Sequence, residues 1–223
     1  YSGPKNHDYV IFDSYPLTGA YLYSKTESTG NSWIENLSGK LPIRSEPAYT
    51  AGSSIELTYV SNSGGTWKAR LIRHLLRGLD DWDNGVFIQT KPTPYKTPSF
   101  LQFRLLAATT KPSERPKVAL FLKGDKSSSS IDIGRFLSPP DNNSWMLARI
   151  PLTEFKDSPI TASEQVQGIV FEQGSADGVE HKLFIDQVEL RAALEPKFSK
   201  DVKPTLIEAK GYERHVELKW DKI

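Results

Sequence analysis

The chain has 223 residues, 38% of them hydrophobic and 11% aromatic, enough for one β domain of ordinary size or for a domain with a further fragment. Its 28 basic and 27 acidic residues give a formal net charge of +1, which removes any electrostatic drive toward nucleic acid or an anionic membrane. Without a single cysteine it has no disulfide scaffold, no cysteine-ligated zinc and no thiol catalysis. No apolar run reaches the length of a membrane span or a signal core, and the first residue is Tyr1, so the sequence reads as a mature or trimmed product.

The first expected strand is Tyr9 to Asp13, a short run of β-formers that stops at an aspartate. From Leu17 to Ala51, aromatics are scattered among Ser, Thr, Asn and Gly, which predicts long loops with one or two short strands. Ser54 to Val60 and Thr66 to Arg73 are β-rich and separated by Ser61-Asn62-Ser63-Gly64-Gly65, which predicts a hairpin. In its second strand Trp67, Ala69 and Leu71 share an apolar face, opposite Lys68, Arg70 and Ile72. Gly78 to Gly85 is a loop by composition and sets Trp82 among aspartates and an asparagine. Strands are expected at Phe100 to Ala107, Lys117 to Lys123 and Ile131 to Ile133. Ser144 to Phe155 follows, with Met146, Ala148 and Ile150 on one face and Trp145, Leu147 and Arg149 on the other; Pro151 ends its ladder. Val166 to Gln173 and Lys182 to Leu190 complete the set, the latter with Asp186 inside an apolar run. Nine or ten strands without a helical period imply an all-β sandwich. At Leu194 the composition changes to a charged, proline-flanked linker (194–203), after which alternation restarts at Leu206 to Lys210 and His215 to Trp220. Residues 1–193 are thus expected to form the main domain and 204–223 the start of another.

Catalytic patterns are missing: the four histidines lack metal spacing, and no nucleophile elbow, phosphate loop or His-Glu-x-x-His occurs. The strand-borne Glu-x-Asp-x-x-Glu of sandwich glycosidases is also absent, and simple alternation puts Asp186 and Glu189 on opposite faces. The segment is therefore expected not to be an enzyme by itself. Trp33, Trp67 and Trp145 are read as core. Trp82 is either a loop anchor or an exposed platform for the C–H face of a sugar, flanked by Asp81, Asp83 and Asn84 as hydroxyl-binding groups. Arg70 is the second binding candidate and Trp67 the weakest. Asp13 and Asp186 sit at or inside strands and need partners, either a calcium ion or loop amides.

The stretch Ile55 to Ile72 with Gly64-Gly65-x-Trp67, Phe100-Leu-Gln-Phe103, Trp145 with Ile150-Pro151-Leu152 and Phe155, and Phe184-Ile185-Asp186-Gln-Val188 together resemble carbohydrate-binding modules with the galactose-binding-like jelly roll, of the family 11 kind. The resemblance covers roughly residues 9 to 192. It implies two packed antiparallel sheets, a glycan-binding face or loop, a structural calcium, and attachment to a secreted, periplasmic or cell-surface bacterial glycoside hydrolase. The expected partners are then a neutral polysaccharide or oligosaccharide and downstream domains of the same chain. The alternative is a jelly roll with a structural or protein-interaction role, packed against a downstream glycoside hydrolase domain. About twenty residues of the tail, ending in Trp220, resemble the opening of a fibronectin type III domain.

Overall fold

The computed structural model describes residues 10–13, 19–50, 52–72, 98–107, 111, 115–122, 124–141, 143–155, 166–192, 206–212 and 215–220. The chain divides into two units, Tyr1–Ala193 and Leu194–Ile223. The first is an all-β jelly-roll sandwich. Its strands are β1 (Val10–Phe12), β2 (Gly19–Tyr21), β3 (Ser24–Thr29), β4 (Trp33–Ile34), β5 (Leu41–Arg44), β6 (Ser54–Val60) and β7 (Thr66–Ile72). They continue as β8 (Pro98–Ala107), β9 (Lys117–Leu122), β10 (Lys126–Ser127), β11 (Ile131–Asp132), β12 (Met146–Pro151), β13 (Val166–Glu172) and β14 (Glu180–Ala192). An eight-stranded sheet runs β12-β8-β14-β6-β5-β2, with β1 on β14 and β4 on β6; a six-stranded sheet runs β10-β9-β13-β7-β3, with β11 on β9. In the second unit β15 (Leu206–Tyr212) pairs antiparallel with β16 (His215–Trp220).

Alternation builds the core. Ile55, Leu57, Tyr59, Leu101, Phe103, Leu105, Ala148 and Ile150 project from the larger sheet onto Trp67, Ala69, Leu71, Val118, Leu120, Ile169 and Phe171 of the smaller, all fully buried. Rings cross the interface: Tyr59 meets Trp67 at 4.5 Å and Phe103 meets Phe171 edge-on at 5.5 Å.

The expected hairpin is not formed, because β6 and β7 belong to different sheets. Residues 61–65 cross the sandwich so that both apolar rows face inward, and the Trp67 indole N–H donates to Ser61 Oγ at 3.0 Å. The glycines serve this crossing: Gly64 has φ 83°, and a Cβ on Gly65 would lie 2.6 Å from Ser32 N and Thr29 O. Between Leu17 and Ala51 there are four strands, where one or two were expected. One of them, β3 (Ser-Lys-Thr-Glu-Ser-Thr), lacks any apolar residue and is held at an edge by its ladder to β7.

A third departure sits in β14. Its register with β8 shifts between Asp186 and Glu189, and Gln187 takes φ 49°. Ile185 and Val188 are both in the core, so Asp186 and Glu189 share the outward face, contrary to simple alternation. The outward row of this sheet therefore reads Ser54, Glu56, Thr58 and Val60 on β6, Lys182, Phe184, Asp186 and Glu189 on β14, Phe100, Gln102 and Arg104 on β8, and Leu147 and Arg149 on β12.

Candidate functional site

Asp186 has 0% exposure although it points away from the sandwich core. The reason is the segment after β5, which lies over it: the Tyr49 and Thr50 amides donate to Asp186 Oδ2 at 2.9 and 3.1 Å, and the Gln187 amide donates to Oδ1 at 2.7 Å. Burial pushes its carboxyl above the usual range, and the amide bonds counteract this only in part. Of the two expected solutions, the structure supplies loop amides. Asp13, the other expected metal ligand, is exposed, and among the described residues no group of three or more His, Cys, Asp or Glu side chains converges as a metal site. The same segment buries Trp145, whose ring meets Tyr49 edge-on at 5.9 Å. Trp145 is thus buried outside the inter-sheet core, beneath a loop on the outer face.

On the neighbouring strand Glu56 is 2% exposed and gathers three donors. Arg44 Nε hydrogen-bonds Oε2, Lys182 Nζ lies 2.9 Å from Oε1, and Thr58 Oγ1 donates to Oε1 at 3.0 Å. Burial alone would raise this carboxyl; the Arg44, Lys182 and Thr58 bonds outweigh it and hold the carboxyl below the usual range. Arg44 also reaches Glu35 at 3.7 Å. Two residues before Glu35, Trp33 pairs with Val60, which places its ring on this outward face. It is 39% exposed, so it is a surface aromatic, where a core residue was expected. Trp33, Glu35, Arg44, Glu56, Thr58 and Lys182 thus share one outward face, the ring opposite Val60 and the charged cluster centred on Glu56 further along β6.

Arg70 lies on the opposite, outer face of the smaller sheet. Its guanidinium meets Asp125 Oδ1 at 2.5 Å and Glu27 at 3.9 Å and sits 5.0 Å from the Phe121 ring centre. Beneath it Ala119, Phe121 and Val170 form a small buried cluster with Ile72. Beside it runs a row of alternating charge in register across five strands, Glu27, Lys68, Glu172, Lys117 and Asp132. Trp67 has 0% exposure, so its ring offers no face to a ligand and it drops out as a binding candidate. Trp82, Asp81, Asp83 and Asn84 lie outside the described residues.

No family model matches the chain. Over 219 residues, 97% of its length, it is 31% identical to an exo β-1,2-glucooligosaccharide sophorohydrolase (non-reducing end) of Parabacteroides distasonis, and it spans 29% of that protein. The crystal structure of a β-1,2-glucanase from the same species superposes with a TM-score of 0.75 at 30% identity, covering 96% of this chain and 29% of that one. A family 30 carbohydrate-binding module superposes with a TM-score of 0.59 at 18% identity, covering 87% and 92%. The jelly roll read from the sequence is therefore the fold. The fibronectin type III likeness of the tail receives no support from these comparisons. Among the described residues no helix is long and apolar enough to cross a membrane.

Sequence reasoning missed the Glu56 cluster because its members are far apart in the chain; only the acid inside the β-formers of Ser54 to Val60 signalled that a partner was needed. Trp33 carried a signal too, since Asn31 and Ser32 before it and Glu35 and Asn36 after it mark a strand too short to be buried on both sides.

Proposed function

We propose that this chain is a non-catalytic glucan-binding sandwich of a bacterial β-1,2-glucan-degrading enzyme, acting outside the cytoplasm and feeding or holding the polymer for a downstream glycoside hydrolase part. The observation that carries this reading is the similarity along 97% of the chain to 29% of a β-1,2-glucooligosaccharide hydrolase, in a fold shared with a carbohydrate-binding module. The exposed Trp33 ring, on the same outward face as Glu35, Arg44 and Lys182, supports binding of a neutral sugar by stacking and hydroxyl contacts. Arg70 on the other sheet, and Trp82 with Asp81, Asp83 and Asn84, are the further candidates. A second reading, in which the sandwich packs against the hydrolase as a structural part, is favoured by the number of outward charges already neutralised within the chain.

Affinity electrophoresis through gels containing β-1,2-glucan separates the candidates. Trp33→Ala is expected to keep its melting temperature and to lose about thirtyfold in affinity, the effect of truncating a stacking anchor. Arg70→Ala and Trp82→Ala run in the same gels locate any contribution from the other sheet and the loop. Equal migration of the wild type with and without glucan would leave the structural reading.

A further inference from the structure

Seven arginines are described, and most meet a carboxylate: Arg44 with Glu56, Arg70 with Asp125, Arg135 with Glu154, and Arg191 with Glu189. Arg115 contacts the Met146 sulfur. The remaining two, Arg104 and Arg149, have no hydrogen bond or ion pair among the described residues, and they are neighbours. Arg104 on β8 is opposite Leu147, and Arg149 on β12 is opposite Gln102, so the two lie diagonally across one strand pair on the outward face of the larger sheet. Each is laid on a ring, Arg104 at 4.3 Å from the centre of Tyr49 and Arg149 at 4.4 Å from that of Phe100. Tyr49 is itself fixed by Trp145 and by its amide bond to Asp186.

This arrangement costs stability. The Arg104 Nε is buried without a partner, and the carboxylate directly across the ladder, Asp186, is filled by backbone amides. A guanidinium held over a ring has its outer N–H groups positioned in advance, with less side-chain entropy left to lose on binding. Asp186 and Glu189 stand in the same two rows as Arg104 and Arg149, Glu189 being also paired with Arg191, so carboxyl groups flank the guanidinium pair and disfavour an anionic ligand there.

We propose that Arg104 and Arg149 form a hydroxyl-binding fork that selects glucans whose internal units keep two adjacent free hydroxyls. This rests on the glucan-binding reading and gives it a linkage rule. An internal β-1,2-linked glucose keeps O3 and O4 free and adjacent, and a β-1,4-linked unit keeps O2 and O3. An internal β-1,3-linked unit keeps O2 and O4 as its free ring hydroxyls, which are not adjacent and cannot both engage one fork.

The test is calorimetric titration of the chain with soluble β-1,2-glucan, cello-oligosaccharides and laminari-oligosaccharides, repeated on Arg104→Lys and Arg149→Lys. Lysine keeps the charge and removes the fork. Each variant is expected to bind β-1,2-glucan about tenfold more weakly, as a two-point contact becomes one. Laminari-oligosaccharides are expected to bind at least tenfold more weakly than β-1,2-glucan to the wild type. Raising salt from about 0.05 to about 0.5 M is expected to change affinity by less than about twofold. Because Arg149 is exposed, its variant reports binding even where Arg104→Lys disturbs folding. Lysine variants equal to the wild type, equal binding of laminari-oligosaccharides, or strong salt dependence would each overturn the fork and leave the glucan-binding reading standing. Absence of binding by the wild type to all three glucans would overturn both.

Discussion

Glu56 and Asp186 stand on neighbouring strands of one sheet, both outward and both out of contact with solvent, yet burial leaves their carboxyls shifted in opposite directions. Glu56 is surrounded by cations from β5 and β14; Asp186 is surrounded by neutral amides from the segment after β5 and from its own bulge. Cations combine Coulomb attraction with hydrogen bonding and outweigh the loss of water. Amides supply hydrogen bonds alone and do not. The two carboxylates therefore do different structural work: Glu56 ties β5, β6 and β14 together at the surface, while Asp186 holds down a loop that buries Trp145 and positions Tyr49 under Arg104.

The strongest way to break this contrast is Asp186→Ala. It strands three backbone amides at about 1–3 kcal/mol each, so a loss on the order of 4 kcal/mol is expected in chemical denaturation, with faster hydrogen exchange confined to residues near Tyr49 and Thr50. A loss below about 1 kcal/mol would mean that the amides find other partners. Glu56→Gln should cost less, about 1–3 kcal/mol, because Arg44 and Lys182 are half-exposed and regain water when the carboxylate is gone.

Titration sharpens the comparison through its sign. Glu56 has a lowered native value, so its share of stability is complete above its ordinary value of 4.5 and is lost as pH falls through the native value. Asp186 has a raised native value, so its share is complete below its ordinary 3.8 and is lost as pH rises through the native value. The stability gap between wild type and Glu56→Gln should therefore shrink on acidification. Relative to Asp186→Asn, the wild type should lose stability as pH rises above 3.8. Parallel pH profiles for the two variants would contradict the assignment. The smallest effect is expected from chelator: with Asp186 held by amides and Asp13 exposed, the melting temperature should move by less than about 1 °C, whereas removal of a tightly held calcium would lower it several-fold more.

Strands with a period of two were legible because their burial follows the same period, as in Trp67, Ala69 and Leu71 or Met146, Ala148 and Ile150. Which sheet each strand joins was not legible. Residues 61–65 have the composition of a hairpin turn, and only the need of Tyr59 and Trp67 to face each other sends β7 across the sandwich. The bulge at Gln187 was equally hidden, since a single positive-φ residue reverses the face of Glu189 without leaving a glycine as a mark. The side-chain clusters on the outer faces left the least trace in the sequence. Lys182 and Glu56, or Arg104 and Tyr49, are brought together by topology, and nothing local to either residue announces its partner.

The central claim, that this sandwich holds β-1,2-glucan without cutting it, is tested most directly by titrating the chain with β-1,2-gluco-oligosaccharides in a calorimeter and analysing the sugars afterward. Saturable heat with every oligosaccharide recovered at its starting length is the predicted result. No heat at millimolar sugar, or the appearance of shorter products, would contradict it.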